Sequence, residues 1–303
     1  MSTHASPMPA DRPSTFKVWL LAIRPATLVA GVTPVVVGTA LAAAVGRMHL
    51  LAALAALLGA LLIQIGTNLF NDYQDFARGA DTEDRMGPAR ATQRGWLTAR
   101  QVLQGTLVAF AAAVLVGCYL VWHGGWPVVA IGVVSVLSGL AYTGGPMPLA
   151  YHGLGDLFVV VFFGGVAVCG TYYVQAFELS TGVVLASLAV GLMANAILVV
   201  NNLRDRPTDI EANKRTLVVR FGDRFGRFEY AAMVFGAYGL LVAAWALGHG
   251  GAGWLLPLAS LPLGALLVKV VWGLEGKALN PHLGTSGRLG LLFGVLLSVG
   301  VML

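Results

Sequence analysis

Two stretches of this chain set oxygen ligands beside cations at the ends of long apolar runs. The first is Asn71-Asp72-Tyr73-Gln74-Asp75-Phe76-Ala77-Arg78-Gly79-Ala80-Asp81, directly after the apolar run 50–70. The second is Asn201-Asn202-Leu203-Arg204-Asp205-Arg206-Pro207-Thr208-Asp209, which follows another such run. An ionised carboxylate near hydrocarbon costs of order 2.5–3.5 kcal/mol at a helix centre, so acids kept at these boundaries need a use. Asn71 and Asp75 are four apart, as are Asp205 and Asp209, a spacing that stacks side chains on one helix face. Asp81 lies beyond Gly79, where the chain is expected to turn. Pro207 is expected to interrupt the second stretch, so no unbroken helix is assumed through Asp205 and Asp209.

Several carboxylates in one cavity repel each other unless a cation joins them. An oxygen-only donor set suits a hard ion such as Mg²⁺, which keeps waters and bridges to substrate phosphates. Zinc would need His and Cys ligands, and His123 and His152 stand alone in the sequence. Basic residues are interleaved with the acids: Arg78, Arg85 and Arg90 around the first stretch, Lys214 and Arg215 after the second. Carboxylates carrying Mg²⁺, with Arg and Lys meeting the remaining phosphate charge, make a diphosphate site. The plainer reading is that these basic residues only set membrane topology, which needs positive charge there but no acids. A diphosphate at the mouth of an apolar cavity points to a substrate with a long hydrocarbon tail. Metal-assisted loss of diphosphate from an allylic carbon would leave a carbocation shielded from water, ready for an electron-rich acceptor.

The elements that must position these residues are membrane helices. Hydrophobic residues make up 57% of the chain and charged residues 11%, and the mean hydropathy is +0.77. With repeated apolar runs about 20 residues long, this is the composition of an all-α, polytopic membrane protein. Nine transmembrane helices around a central cavity are expected, at 19–45, 50–71, 99–122, 126–142, 154–176, 182–203, 227–248, 253–275 and 285–303. Residues 1–16 read as a disordered cytoplasmic tail and 17–303 as a single transmembrane domain. A signal peptide does not fit the interrupted apolar stretch after Lys17, which further spans follow. Cys118 and Cys169 fall inside spans and read as packing residues.

Charge placement orients the bundle. With a cytoplasmic N-terminus, every Lys and Arg of the 19 except Arg47 falls on or beside the cytoplasmic connections, together with both acidic stretches. The net charge of +5 is therefore a topology signal, and no nucleic-acid partner is expected. The shared Asn-x-x-x-Asp core (Asn71 with Asp75, Asn201 with Asp205) hints at a duplicated half that would set the two clusters across a cavity.

These motifs resemble those of the UbiA superfamily of membrane-embedded aromatic prenyltransferases, which carry Asp-rich motifs after their second and sixth helices. The likeness is strongest to the branch acting on 1,4-dihydroxy-2-naphthoate. It rests on the stretches 71–81 and 201–209, on Asp84-Arg85-Met86-Gly87-Pro88 and on Lys214-Arg215-Thr216-Leu217. Weaker echoes are Arg24-Pro25-Ala26-Thr27, Tyr142-Thr143-Gly144-Gly145-Pro146, Gly153-Leu154-Gly155-Asp156 and Leu279-Asn280-Pro281.

The resemblance implies Mg²⁺ as cofactor, with Asn71, Asp75 and Asp81 serving one ion and Asp205 and Asp209 the other. It implies that Arg85, Arg90, Lys214 and Arg215, with Asn71 and Asn202, hold the diphosphate. Relatives of the ubiquinone type place the third acid where this chain has Gly79, so Asp81 takes that role here, with Asp72 as an alternative ligand. Asp156 would orient or deprotonate the acceptor hydroxyl, although a helix-start aspartate is also favoured by the dipole alone. The implied reaction joins polyprenyl diphosphate to 1,4-dihydroxy-2-naphthoate with loss of its carboxylate, giving demethylmenaquinone. The implied setting is the lipid bilayer of a bacterial inner membrane, with the site on the cytoplasmic face.

Two alternatives stand beside this reading. The acceptor could be 4-hydroxybenzoate or another quinone ring. A secondary transporter would also hold acids among membrane helices, but near the midplane on broken helices; here they sit at helix exits on one side.

Overall fold

A computed structural model describes residues 13–79, 86–87 and 90–303, and among them there is no β-strand. A short helix α1 (Thr15–Ile23) precedes α2 (Pro25–Ala44), α3 (Leu50–Ala77), α4 (Ala99–Gly124) and α5 (Trp126–Thr143). The fifth span is composite: α6 (Gly155–Val159), a π-helical segment Val160–Cys169 and α7 (Gly170–Ala176). It is followed by α8 (Thr181–Glu211), the short α9 (Leu217–Phe221) and α10 (Asp223–Ala246). A 3₁₀ stretch Ala252–Ser260 leads into α11 (Leu261–Trp272), and α12 (Asn280–Met302) closes the chain.

Among the described residues nine helical segments are long and apolar enough to cross a membrane. Large apolar side chains face outward, Leu115 at 73% and Trp122 at 81% exposure, as lipid-facing surfaces require. The protein is a multi-pass membrane protein.

Four of the departures from the expected elements have identifiable causes. The first span does not begin at residue 19: α1 and α2 are separate, and membrane crossing starts at Thr27. Pro25 disfavours helical geometry at the residue before it, and Arg24 takes the left-handed conformation, φ 54°. α1 starts at Thr15, inside the expected tail, with the Ser14 side chain accepting from Lys17 N–H; residues 1–12 lie outside the described residues. The last span begins at Asn280 rather than 285, with Pro281 in its first turn, where the missing N–H costs nothing.

The fourth departure matters most. α8 runs unbroken through Pro207 to Glu211, so the expected interruption is absent. Proline removes one backbone bond, to Leu203, close to the end of a 31-residue helix whose interior face is buried along its length. Tertiary burial decides against the local penalty.

α8 is the central column. The main core gathers Val190, Met193, Val199 and Leu203 of α8 with Tyr230, Val234 and Leu241 of α10, and Leu289, Phe293 and Leu297 of α12. The fifth span approaches α8 so closely that a Cβ on Gly164 would lie 2.9 Å from Gly191 Cα, and only glycines permit this contact. The ends of α3 and α8 that carry the acidic clusters are thus presented on one side of a packed bundle.

Candidate active site

The last turns of α3 supply the first cluster. Asn71 is buried, and its Oδ1 accepts from Thr143 Oγ1 at 2.6 Å at the end of α5. Asp75, one turn on, pairs with Arg90 at 2.8 Å through Oδ2, and its Oδ1 accepts from the Tyr151 hydroxyl at 3.3 Å. Arg78 donates to Gly145 O at 2.9 Å, and its guanidinium lies 5.3 Å from the Tyr151 ring centroid. Asp72 leaves this group: its Oδ1 accepts from Thr92 Oγ1 at 2.6 Å, and it is 1% exposed. Through that bond it braces the 90–98 loop. Helix α3 stops at Ala77, and Gly79 adopts φ +68°, the turn expected there. Asp81 and Arg85 lie outside the described residues.

The end of α8 supplies the second cluster, and it is organised by Arg204. This guanidinium is almost fully buried and donates to Asp205 through Nε at 2.7 Å, to Asn201 Oδ1 at 2.8 Å and to Asn280 Oδ1 at 3.2 Å. Asn201 Nδ2 also donates to Asp205, at 3.3 Å. Asn280 Nδ2 donates in turn to Met86 O at 3.0 Å, tying the start of α12 to the loop after α3. A Cβ on Gly87 would lie 2.8 Å from Arg204 Nη2, so a larger residue there would press on the guanidinium.

The turn beyond α8 is built by Asn213, in left-handed geometry at φ 53°. Lys214 N–H returns to Asp209 O at 2.8 Å, the six-to-one bond of a Schellman closure. That turn carries Lys214 Nζ back to Asp209 Oδ1, at 3.2 Å. Asp209 Oδ2 is buried and has no hydrogen-bond partner.

The two clusters face each other. Asp209 is within electrostatic reach of Asp205 and of Asp75, and Lys214 is within reach of all three. Burial pulls the Lys214 ammonium down, but Asp209, Asp75 and Asp205 together outweigh it and the net shift is upward. Lys214 is therefore a fixed cation between carboxylates of α3 and α8. Burial, and then Asp75, hold the Tyr151 hydroxyl above the usual tyrosine range, so it is a donor.

Arg215 takes no part in this group through its charge. Its side chain is exposed, while its backbone N–H donates to Tyr151 O at 3.0 Å. Asn202 and Lys214 line a small polar recess with Tyr142 and Asp156, which is 6% exposed at the start of the fifth span. Tyr142 also lines a large apolar cavity of about 600 Å³, bounded by α2 to α5 and the fifth span, with Ile63, Phe158 and Phe162 in its walls. Tyr142 is thus common to the walls of the polar recess and the apolar cavity.

Among the described residues no three His, Cys, Asp or Glu stand close enough together to form a metal cluster. The expected sets of Asn71 with Asp75, and Asp205 with Asp209, are on neighbouring helix ends, but each carboxylate is paired with its own cation: Arg90, Arg204 and Lys214. The residues still fit a hard divalent ion. All donors are oxygens, the three carboxylates feel one another, and Asp209 offers an orphaned buried oxygen. Sequence reasoning missed four partners: Arg204, Thr143, Tyr151 and Asn280. Arg204 adjoins Asp205 and was readable as a local pair; Thr143 and Asn280 stood only within the weaker family echoes, with no role assigned, and Tyr151 is distant in sequence from Asp75.

Comparison with known proteins places this arrangement. The model of the UbiA prenyltransferase family matches residues 31–281. The chain is 37% identical to the 1,4-dihydroxy-2-naphthoate octaprenyltransferase of Escherichia coli, over 96% of both chains. It is 32% identical to the Haemophilus influenzae protein of that name, over 95% of this chain and 96% of the other. In fold it is similar to a UbiA homolog from Archaeoglobus fulgidus bound to DMAPP and Mg²⁺, with a TM-score of 0.68 and 13% identity over 94% of this chain and 99% of the other.

Proposed function

The chain belongs to the UbiA prenyltransferase family, and on that premise we propose that it transfers a polyprenyl group from polyprenyl diphosphate to 1,4-dihydroxy-2-naphthoate. The acceptor carboxylate is lost as carbon dioxide and the product is the reduced, quinol form of demethylmenaquinone. The observation that carries the reading is Lys214, paired with Asp209 and within electrostatic reach of Asp75 and Asp205, beside a recess that shares Tyr142 as a wall with the apolar cavity.

In this reading Asn71, Asp75 and Asp81 would hold one Mg²⁺ and Asp205 and Asp209 the other. When bound, the ions neutralise the charge that builds on the departing diphosphate. Lys214 and Arg90, with Arg85, meet the remaining phosphate charge; Asn202 adds a neutral donor in the recess. Arg215, exposed, has at most an outer electrostatic role. The apolar cavity takes the hydrocarbon tail and keeps water from the allylic carbon as its bond to oxygen breaks. Asp156, buried in the recess, orients the acceptor hydroxyl and takes up its proton as the ring donates electrons.

Residues 17–303 act as one transmembrane unit in the bacterial inner membrane, with the N-terminus and both clusters on the cytoplasmic face. The one-sided placement of Lys and Arg supports this orientation. The test is an assay of purified protein with radiolabelled polyprenyl diphosphate and either 1,4-dihydroxy-2-naphthoate or 4-hydroxybenzoate. Prenylated naphthoate product is expected; product with hydroxybenzoate alone overturns the acceptor assignment.

A further inference from the structure

Two glycines in the walls of the large apolar cavity pack against nothing. Glycine weakens a helix interior relative to alanine, and in a membrane bundle its ordinary use is to let two elements approach. Gly139 and Gly124 have that use: a Cβ on Gly139 would lie 2.6 Å from Thr67 Oγ1, and one on Gly124 would lie 2.6 Å from Val128 Cγ2. Gly117 on α4 and Gly132 on α5 do not. Both line the cavity, and a Cβ on either would have no atom within 4 Å. What they leave in the cavity is room.

The two stand at one depth. α4 and α5 are joined at Gly125, with Gly117 eight residues before it and Gly132 seven after it. At about 1.5 Å per residue, both lie about 10–12 Å from that turn. Tyr142, which also borders the polar recess with Lys214, is ten residues from Gly132 on the same helix, or about 15 Å. Beyond the glycines the cavity wall includes Val128 and Val174, which pack with Ala52 in a small core. It also includes Trp122, which is 81% exposed, so the cavity reaches the outer surface there.

We propose that Gly117 and Gly132 are specificity-determining residues, which set the length of prenyl tail that the cavity admits. The inference deepens the proposed function and rests on it for the tail's place in the cavity. Each isoprene unit adds four carbons to the length of the chain, and an extended run of four spans about 5 Å by the reach that bond lengths allow. A tail whose diphosphate sits beside Lys214 enters at Tyr142 and comes level with the glycines after about three units. A tail of two units stops short of them. A longer tail must pass between the facing walls of α4 and α5 at this level, toward Trp122. The control is steric: a leucine at either position would keep the wall apolar and take up the space that the distal units need.

The experiment compares full-length wild type, Gly117→Leu, Gly132→Leu and Gly239→Leu in proteoliposomes. The substrates are prenyl diphosphates of two, four and eight isoprene units, with whichever of the two acceptors the wild type prenylates. Gly239 on α10 also has open space at its Cβ but does not line the cavity, so it is the control. The two-unit diphosphate, too short to reach the glycines, is the reference within each variant. In Gly117→Leu and Gly132→Leu, KM for the eight-unit diphosphate relative to the two-unit one should rise about 10-fold over wild type, as overfilling an apolar site does. The four-unit diphosphate should follow it, and Gly239→Leu should keep the wild-type ratio. A ratio unchanged in both cavity variants would overturn the inference, as would an equal rise in Gly239→Leu. Thermal shifts on adding each diphosphate with Mg²⁺ and no acceptor give a second readout. In wild type the shift should grow with tail length, and in the cavity variants that growth should stop after two units; growth as in wild type overturns the inference. This measurement needs no turnover, so a wrong acceptor assignment and a wrong role for the glycines give different results.

Discussion

The two acidic clusters look alike in sequence and are held in different ways. In the second, compensation is local: Asp205 is met by its neighbour Arg204, and Asp209 by Lys214 five residues on. α8, its cap and the Schellman turn build that half almost alone. In the first, the partners come from elsewhere: Arg90 is 15 residues beyond Asp75, Tyr151 is 76 beyond it, and Thr143 is 72 beyond Asn71. The Asn-x-x-x-Asp likeness does not extend to bonding either, since Asn201 donates to Asp205 while Asn71 accepts from Thr143. One half is a preformed anchor in a packed core, and the other is assembled by the tertiary fold. Asn280 joins them, by bonding both Arg204 and the Met86 carbonyl.

The largest effect tests what the halves share. Asp75→Asn and Asp205→Asn should each lower Mg²⁺-dependent kcat by about 10²–10³-fold, the usual cost of removing one preorganised electrostatic group. Both variants should still insert, as membrane fractionation would report. Near-normal turnover in both would remove the clusters from the chemistry.

The next pair separates anchor from assembly. Arg204→Met leaves Asp205 buried without its cation and frees Asn201 and Asn280, so a loss of about 3–5 kcal/mol is expected, read as a lowered Tm in detergent. Arg90→Met should act mainly on KM for polyprenyl diphosphate, with a smaller change in Tm, because Tyr151 still reaches Asp75. Equal thermal losses would erase the distinction.

The smallest effect concerns the turn that aims Lys214. Asn213→Gly should be nearly neutral, whereas Asn213→Val, forced into left-handed backbone, should cost about 1–2 kcal/mol and raise KM for the diphosphate. The thermal shift and the KM change should appear together, since one turn controls both.

Much of this was legible because it depends on local composition. Apolar runs too long for a soluble core marked all the spans, and the acids at their ends marked where α3 and α8 leave the hydrocarbon. The break at Arg24 was not anticipated: the expected span 19–45 ran through it, although Pro25 disfavours helix at the residue before it. Pro207 misled for the opposite reason: its penalty is local, but α8 is stabilised by burial along its interior face, which a local rule does not see. The π-helical segment in the fifth span has no sequence signature here; Gly164 within it packs against Ser187 and Gly191 of α8, distant in the chain.

Sequence by itself determined the class of the protein, the chemistry of its donors and the side of the bundle on which they gather, since hydropathy and charge act residue by residue. Only the tertiary structure decided which cation meets which carboxylate, and that Asp72 bonds Thr92. Those outcomes depend on distances between residues far apart in the chain, and such distances are set by packing.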